Sequence, residues 1–183
     1  MKQLIPNHIC LSCQICCRFT EQNSVFRPFF SSKEKEKATD NNSGKLKEKF
    51  LSLSSAQGEK IISIPGKEDD FQCPYFCCEK NNCTIYEKRP LDCEIYPYML
   101  MHDKDDKNIL LVIDPQCPYI AEQKDNPSLV SCGKEIISHL ETETEHVQGC
   151  WNLIHGFEEG YIQIGTLPKL TQDLIHPDLG LRK

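Results

Sequence analysis

The sequence predicts a small, irregular α+β domain in which short helices and strands surround a core rich in cysteine. Three observations lead to this prediction. The 183 residues suffice for one domain of ordinary size. Apolar segments are short, and their spacing changes between the helical and the strand-like period along the chain. The sequence has 12 cysteines but a mean hydropathy of only −0.48, so cross-links or metal ions are expected to supplement a modest apolar core.

The N-terminal elements are expected to be short. Residues 1–30 are predicted to form loops and extended pieces, because Pro28 interrupts the apolar stretch around it. A helix is predicted over residues 33–38, where helix-forming residues follow two serines that can cap it. An amphipathic helix is predicted over residues 45–56, whose apolar positions are four and three residues apart. These positions are Leu46, Phe50 and Leu53.

The later elements are predicted from the same helical and strand-like spacings of apolar residues. Strands are predicted over residues 61–64 and 109–113, since each is a short apolar run that ends at a turn containing proline. A helix is predicted over residues 128–141 and a last strand over residues 161–164, while the tail from Pro168 onward shows no strong pattern. The side chains expected on the inner face of the helix are Leu129, Ile136, Ile137 and Leu140.

The strongest signal is a C-x-x-C-x-x-C-C run near the N-terminus, formed by Cys10, Cys13, Cys16 and Cys17. Cysteines three residues apart allow a tight turn to direct consecutive sulfurs towards one small centre. The first three also repeat the spacing that opens the bacterial ferredoxin cluster motif, in which a distant fourth cysteine precedes proline. Adjacent side chains of extended backbone point to opposite faces, so Cys16 and Cys17 favour two neighbouring centres over one.

The cellular compartment bears on what the cysteines do. The first eight residues do not resemble a secretory signal peptide, and no stretch approaches 18 apolar residues. A cytoplasmic protein with no membrane partner is therefore expected. In that reducing compartment abundant cysteine favours metal ligation or catalysis, and disulfides are the alternative because 12 is an even number. Nucleic acid is not an expected partner, since the formal net charge is −6 and metal-bound thiolates would make it more negative.

A second cysteine block makes the chain recognisable. It begins where Cys73 precedes Pro74, continues as C-x-I-Y-x-x-R-P-x-x-C from Cys83 to Cys93, and is followed by Y-P and a later C-P pair. With the first block it resembles the YkgJ-like CxxCxxCC cysteine cluster family, described as zinc- or iron-chelating and related to the cysteine domain of flagellin lysine N-methylase. The resemblance covers about residues 10–120. It implies eight thiolate ligands, which are Cys10, Cys13, Cys16, Cys17, Cys73, Cys83, Cys93 and Cys117.

Other residues accompany the pattern or depart from it. Arg18 and Arg89 are candidates to bind the cofactor by offsetting thiolate charge and donating hydrogen bonds to sulfur, and pairing with a surface carboxylate is an equal alternative. Relatives commonly carry arginine where this chain has Glu94, so an anion-binding role is not expected at that position. Tyr86 and Tyr96 are expected to pack beside the site. The cysteines outside the pattern are Cys77, Cys78, Cys132 and Cys150.

The cysteine pattern also sets the expected domain limits. Residues 1–125 are predicted to form the cysteine-cluster domain, and residues 126–183 a C-terminal helix and tail packed on the same domain. The short elements are then expected to wrap around a cysteine-ligated metal core.

The spacing favours an iron–sulfur cluster, with two tetrahedral zinc sites as the alternative, in a structural or electron-transfer role with a protein partner. The resemblance also admits an S-adenosylmethionine-dependent protein lysine methyltransferase, although no glycine-rich adenosine-binding loop is evident. A third class is a metal-handling or redox-sensing protein. Whether the chain is an enzyme stays open. The residues of a possible labile site in the third class are Cys132, His139, His146, Cys150 and His155.

Overall fold

The computed structural model of the chain describes residues 5–6, 9, 16–24, 26–39, 50–52, 58–66, 70–123, 125–142, 147 and 151–175. Short helices and several small sheets occur together in these residues, so the predicted α+β class is confirmed. The chain divides into two compact units, Ile5–Glu94 and the residues from Ile95 onward. Each unit is defined only by the contacts that its residues make with one another, which does not make it a domain. The domain limits of 1–125 and 126–183 therefore stay a prediction.

The described part of the Ile5–Glu94 unit contains eight short strands, all paired antiparallel. In chain order they are β1 (Arg18–Phe19), β2 (Phe29–Ser31), β3 (Phe50–Ser52), β4 (Gly58–Ile61), β5 (Ile64–Pro65), β6 (Phe71–Gln72), β7 (Phe76–Cys77) and β8 (Asn82–Cys83). β6 pairs with both β1 and β5, β4 pairs with both β2 and β3, and β7 pairs with β8. Because such short strands are marginally stable alone, side-chain packing between the sheets has to hold this unit together.

Helix α1 (Ser32–Thr39) confirms the helix predicted after the two serines. Ser31 and Glu34 cap its start reciprocally. The Glu34 N–H donates to Ser31 Oγ at 3.3 Å, and the Ser31 N–H donates to Glu34 Oε2 at 2.8 Å. A 3₁₀ helix (Tyr86–Lys88) and the short helix α2 (Leu91–Ile95) come later in the chain.

The helix predicted over residues 45–56 is wrong at its centre, because Phe50–Ser52 is strand β3. Phe50 lies opposite Ile61 of β4, and its ring meets the Phe30 ring edge-on with 5.1 Å between centroids. A cross-strand partner distant in the sequence therefore outweighs three apolar residues at helical spacing. The predicted helix also includes residues 45–49 and 53–56, which lie outside the described residues.

An apolar cluster joins the sheets of this unit. The strand predicted over residues 61–64 is divided between two strands, because β4 ends at Ile61 and β5 begins at Ile64. Of these two residues, Ile61 is a buried member of the cluster. Cys17 and Cys83 pack against the cluster. Its buried members are Phe19, Phe30, Ala38, Phe50, Ile61, Cys73, Tyr75 and Phe76. Predicted metal ligands are thus part of the core of this unit rather than additions to its surface.

The second unit contains a four-stranded sheet. Its described strands are β9 (Tyr98–His102), β10 (Ile109–Ile113), β11 (Ile154–His155) and β12 (Ile162–Thr166), and its helices are α3 (Pro118–Glu122), α4 (Pro127–Thr142) and α5 (Pro168–Ile175). The strand order is β11-β9-β10-β12, in which β11 runs parallel to β9 and the other pairs are antiparallel. All five residues of β10 are buried, which confirms the strand predicted over 109–113. β12 confirms the predicted last strand with a shift of one residue at its start.

Helix α4 confirms the helix predicted over residues 128–141. Leu129, Ile136 and Leu140 are buried as expected, and Ile137 is half-buried. The helix packs closely on β12 at Gly133, where an added Cβ would lie 2.6 Å from Ile164 Cγ2. Glycine at this position therefore sets how closely the helix approaches the sheet.

Helix α5 occupies the tail in which the sequence shows no strong pattern. Its first turn is capped from a distance, because the Glu141 carboxylate accepts hydrogen bonds from the Lys169 N–H at 2.9 Å and the Leu170 N–H at 3.1 Å. Such a cap is invisible to local sequence reasoning. Within the described ranges, no helix is long and apolar enough to cross a membrane.

Candidate metal centre

The pairing of β1 with β6 brings the two cysteine blocks together. Cys17 directly precedes β1, and Cys73 directly follows β6. The Cys73 N–H donates to the Cys17 carbonyl at 3.0 Å, which extends the antiparallel ladder by one residue. Residues that are 56 positions apart in the sequence therefore lie on adjacent strands.

A tight turn and a hairpin then return Cys83 towards Cys73. The Phe76 N–H donates to the Cys73 carbonyl at 2.9 Å, and Phe76 lies opposite Cys83 in the β7–β8 pair. The hairpin reverses at Asn81, which adopts a positive φ of 50°. The Thr84 N–H donates to the Tyr75 carbonyl at 2.8 Å and extends the pairing beyond β8.

Helix α2, which carries Cys93, is anchored by two carboxylates. Glu34 of α1 accepts a hydrogen bond from the Leu91 N–H at 2.7 Å, and thus caps the start of α2. The neighbouring Asp92 accepts one from the Phe29 N–H of β2 at 3.0 Å. Burial raises the pKa of Asp92 to about 6, although the Phe29 N–H and Lys60 act in the opposite direction. The position of Cys93 thus depends on residues about 60 positions earlier in the sequence.

Four thiols interact electrostatically within this unit. Burial raises the pKa of Cys73 to about 12, where N–H groups of Tyr75 and Phe76 oppose the shift and negative charge on Cys83 and Cys16 adds to it. Burial also raises the pKa of Cys93 well above its usual value, and Asp92 and the same thiols add to that shift. We call Cys16, Cys73, Cys83 and Cys93 the four-thiol cluster. The raised pKa values keep Cys73 and Cys93 protonated at neutral pH unless a cation compensates the charge of their thiolates.

The remaining predicted ligands stand as follows. Cys17 packs against the apolar cluster of the same unit. Cys117 lies in the second unit, where it is buried directly before α3 in a turn that Asp114 stabilises by accepting the Gln116 N–H at 2.8 Å. Cys10 and Cys13 lie outside the described residues. Metal ligation by all eight cysteines stays a prediction.

Arg18 has a carboxylate partner. Its Nη1 lies 3.7 Å from Asp70 Oδ2, and its guanidinium carbon is 5.8 Å from the centre of the Phe76 ring. The buried Arg18 Nε has no hydrogen-bond acceptor among the residues that the structure describes. Pairing with a carboxylate, which was the alternative to cofactor binding, is therefore observed at Nη1 of Arg18. Cofactor binding by Nε of the same side chain stays a prediction.

Arg89 lies over the Tyr86 ring, with 4.0 Å between the guanidinium carbon and the ring centre. Burial lowers its pKa, but Tyr86, Glu94 and Cys93 together outweigh burial and leave the pKa raised. Arg89 thus lies within electrostatic reach of one thiol of the four-thiol cluster. Its role in cofactor binding stays a prediction.

Tyr75 is a candidate site residue that sequence reasoning missed. It is only 3% exposed, and its hydroxyl has no hydrogen-bond partner in the described part of the chain. Burial raises its pKa to about 12, with the charges of Cys73 and Cys83 adding to the effect. The only sequence signal was its place two residues after Cys73. By contrast, the Tyr96 hydroxyl is satisfied, because it donates to Asp114 Oδ2 at 3.0 Å.

The cysteines outside the family pattern have other surroundings. Cys78 Sγ lies 2.9 Å from Gln72 Oε1, and Cys77 is a free thiol at the end of β7. Cys132 and His139 are on α4, and His155 is on β11. His146 and Cys150 lie outside the described residues, so the labile site proposed for these five residues stays a prediction.

The donor set fits a thiophilic metal in its chemistry. Cysteine thiolates are ligands that both zinc and iron–sulfur clusters select, and backbone N–H groups close to Cys73 are typical of metal-bound sulfur. Over the described ranges, however, no three His, Cys, Asp or Glu side chains already stand at an arrangement that would hold an ion. The four sulfurs are near enough to affect one another, and ligation requires them to draw closer.

Comparison with known proteins identifies the family. No curated protein and no solved structure matches the chain. Residues 9–118 match the CxxCxxCC family, which is described as a putative zinc- or iron-chelating domain. The match includes both cysteine blocks and all members of the four-thiol cluster, and it spans more than half of the 183 residues. The chain therefore belongs to the CxxCxxCC family of metal-chelating domains.

Proposed function

We propose that the four-thiol cluster, with other cysteines of the family pattern, holds an iron–sulfur cluster that stabilises the Ile5–Glu94 unit and exchanges electrons with a protein partner. The mutual effect of the four thiols carries this proposal. Cys73 and Cys93 each have a raised pKa, to which negative charge on the other cysteines of the cluster contributes. Thiolates that repel one another need a cation between them, and a metal centre supplies that charge.

Two features favour iron–sulfur over zinc. The C-x-x-C-x-x-C spacing with a distant cysteine before proline is typical of ferredoxin-type clusters, and Cys73 is such a cysteine. N–H groups of Tyr75 and Phe76 close to Cys73 are also the kind of donors that set the reduction potential of a cluster.

A structural role follows from the size of the elements. In the described part of the Ile5–Glu94 unit the strands have two to four residues, and Cys73 is a member of the apolar cluster. A metal that draws the sulfurs together would fix β1, the hairpin and α2 at once. Binding free energy then becomes folding free energy, as in other small metal-dependent domains.

Electron exchange requires that the centre be reachable. Cys16, Cys83 and Cys93 are each half-buried, whereas Cys73 is 8% exposed. Cys16 and Cys83 thus bring the centre close to the surface of the unit, whereas the thiol of Cys93 is buried, which raises its pKa. A protein partner is proposed because an electron carrier needs another molecule to give or take its electrons.

Anaerobic purification of the full chain tests the proposal. We expect a brown protein with iron and acid-labile sulfide, visible absorption that bleaches with dithionite, and an electron paramagnetic resonance signal from the reduced form. The variant C73S should lose most of the metal, because it removes the buried ligand.

The matched control is C77S, since Cys77 is a free thiol on the adjacent hairpin and lies outside the family pattern. It should keep the metal content of the wild type. A colourless protein with stoichiometric zinc would overturn the iron–sulfur assignment. A metal-free protein after reconstitution with either metal would overturn metal binding by this site.

A further inference from the structure

Tyr75 presents a buried donor whose partner is missing from the described residues. Its side chain is 3% exposed, and its hydroxyl makes no hydrogen bond with any described group. A phenol that is withdrawn from water without a partner destabilises the folded state, so buried tyrosines nearly always donate to an acceptor.

The position of this phenol is fixed by its surroundings. The Tyr75 carbonyl accepts two hydrogen bonds from Thr84, from the N–H at 2.8 Å and from Oγ1 at 3.0 Å. On the core side, the ring centre lies 6.1 Å from that of Phe30. The hairpin and the apolar cluster therefore hold the ring. The same backbone pairing places Tyr75 in the turn that follows Cys73 and beside the strand that carries Cys83.

We propose that the Tyr75 hydroxyl donates a hydrogen bond to a sulfur of the metal centre, and that this bond raises the reduction potential of the centre. The inference rests on the proposed function. Sulfur atoms bound to metal carry negative charge and accept hydrogen bonds from nearby donors. A donor stabilises the more negative, reduced form more than the oxidised form, so losing it makes reduction harder. Tyr75 acts as a positioning and tuning residue here, without a chemical step of its own.

The test compares the full-length variant Y75F with the wild type after anaerobic reconstitution. Phenylalanine keeps the ring that packs near Phe30 and removes only the hydroxyl. We expect the same iron and sulfide per chain and a midpoint potential shifted to a more negative value in a spectroelectrochemical titration. The control is Y161F, because Tyr161 is a partly buried tyrosine of the second unit and should leave the potential unchanged.

Each outcome decides a different point. Equal metal content with an unchanged potential in Y75F overturns this inference and leaves the proposed function standing. A wild type that binds no metal overturns the proposed function, and the inference falls with it. A zinc centre overturns the effect on the reduction potential, because zinc has no redox chemistry. The hydrogen bond itself is then tested in cobalt-substituted protein, where its loss should move the sulfur-to-cobalt charge-transfer band to lower energy, and an unmoved band overturns the hydrogen bond as well.

Two further measurements guard against a folding artefact. If Y75F loses as much stability without metal as with metal, the hydroxyl bonds to a protein group, and the inference is overturned. Should Y75F fail to fold, 3-fluorotyrosine placed at position 75 provides a second variant with a stronger donor. Its potential should shift in the positive direction, opposite to that of Y75F, and no shift would overturn the proposal.

Discussion

Glu34 links β2, α1 and α2 of the Ile5–Glu94 unit, and removing its carboxylate should weaken both the fold and the proposed metal site. The carboxylate accepts hydrogen bonds from the Ser31 N–H at 2.8 Å, the Ser31 hydroxyl at 2.7 Å and the Leu91 N–H at 2.7 Å. The first two bonds begin α1. The third caps α2, which carries Cys93.

The cost of E34A can be worked from these contacts. E34A keeps the bond from the N–H of residue 34 to Ser31 Oγ but loses the two bonds from Ser31 to the carboxylate, which costs about 1 kcal/mol. The Leu91 N–H loses an acceptor at a partly buried position, which costs about 1–3 kcal/mol for a fully buried group and less where water has access. Since Glu34 is half-buried, we expect the free energy of unfolding to fall by about 2 kcal/mol in total. If α2 must be reordered when metal binds, the share lost at Leu91, about 1 kcal/mol, appears as an apparent metal affinity weaker by about 5-fold.

Denaturant unfolding of the full chain, with and without metal, measures the free energy of unfolding. Competition with a chromophoric chelator measures the apparent metal affinity. E36A is the matched control, because Glu36 lies on the same helix and is exposed, so its effect should stay within about 0.5 kcal/mol. E34Q keeps one acceptor oxygen, so its loss in free energy of unfolding should lie between those of E34A and E36A. If E34A were no more destabilised than E36A, and bound metal equally well, the carboxylate would not position α2 and the reasoning would be refuted.

The remaining predictions concern the second unit. G133A should destabilise the protein by about 1–3 kcal/mol, since the new Cβ would lie 2.6 Å from Ile164 Cγ2, and an unchanged melting temperature would contradict this close packing. Tyr161 has a pKa raised to about 12 by burial and by the charges of Asp114 and Glu158, whereas an unfolded tyrosine loses its proton near pH 10. Stability from this group is therefore complete below about pH 10 and is lost as the pH rises towards 12, because the unfolded state then binds fewer protons. Denaturant unfolding measured across this pH range should show a smaller decline in the free energy of unfolding for Y161F than for the wild type. An equal decline in the two proteins would contradict the assignment.

The elements that the sequence predicted well are those specified locally. The cap of α1 uses Ser31 and Glu34, three residues apart, and both are visible as a motif. Helix α4 repeats its apolar positions over 16 residues, which is long enough for its period to be unambiguous. Strand β10 is an uninterrupted apolar run of five residues. In each case one segment contains all the information needed.

The elements that the sequence missed depend on distant partners. Phe50 belongs to a strand because it pairs opposite Ile61, and α5 begins where Glu141 caps it. The candidate site shows the same division. The resemblance of the two cysteine blocks to a known family pointed to the members of the four-thiol cluster, because the family pattern recurs in the sequence itself. Neither the Glu34 bond to Leu91 nor the burial of Tyr75 leaves a mark in the local sequence.

The pairing of β1 with β6 has a consequence for how the chain is made. β1 cannot find its partner until residue 72 has left the ribosome, and at about 5–20 residues per second that interval lasts about 3–10 s. Throughout this time Cys17 lacks the neighbouring strand to which its carbonyl is hydrogen-bonded in the folded chain. The thiol of Cys17 is thus more open to oxidants in a newly made chain than after the second block has emerged.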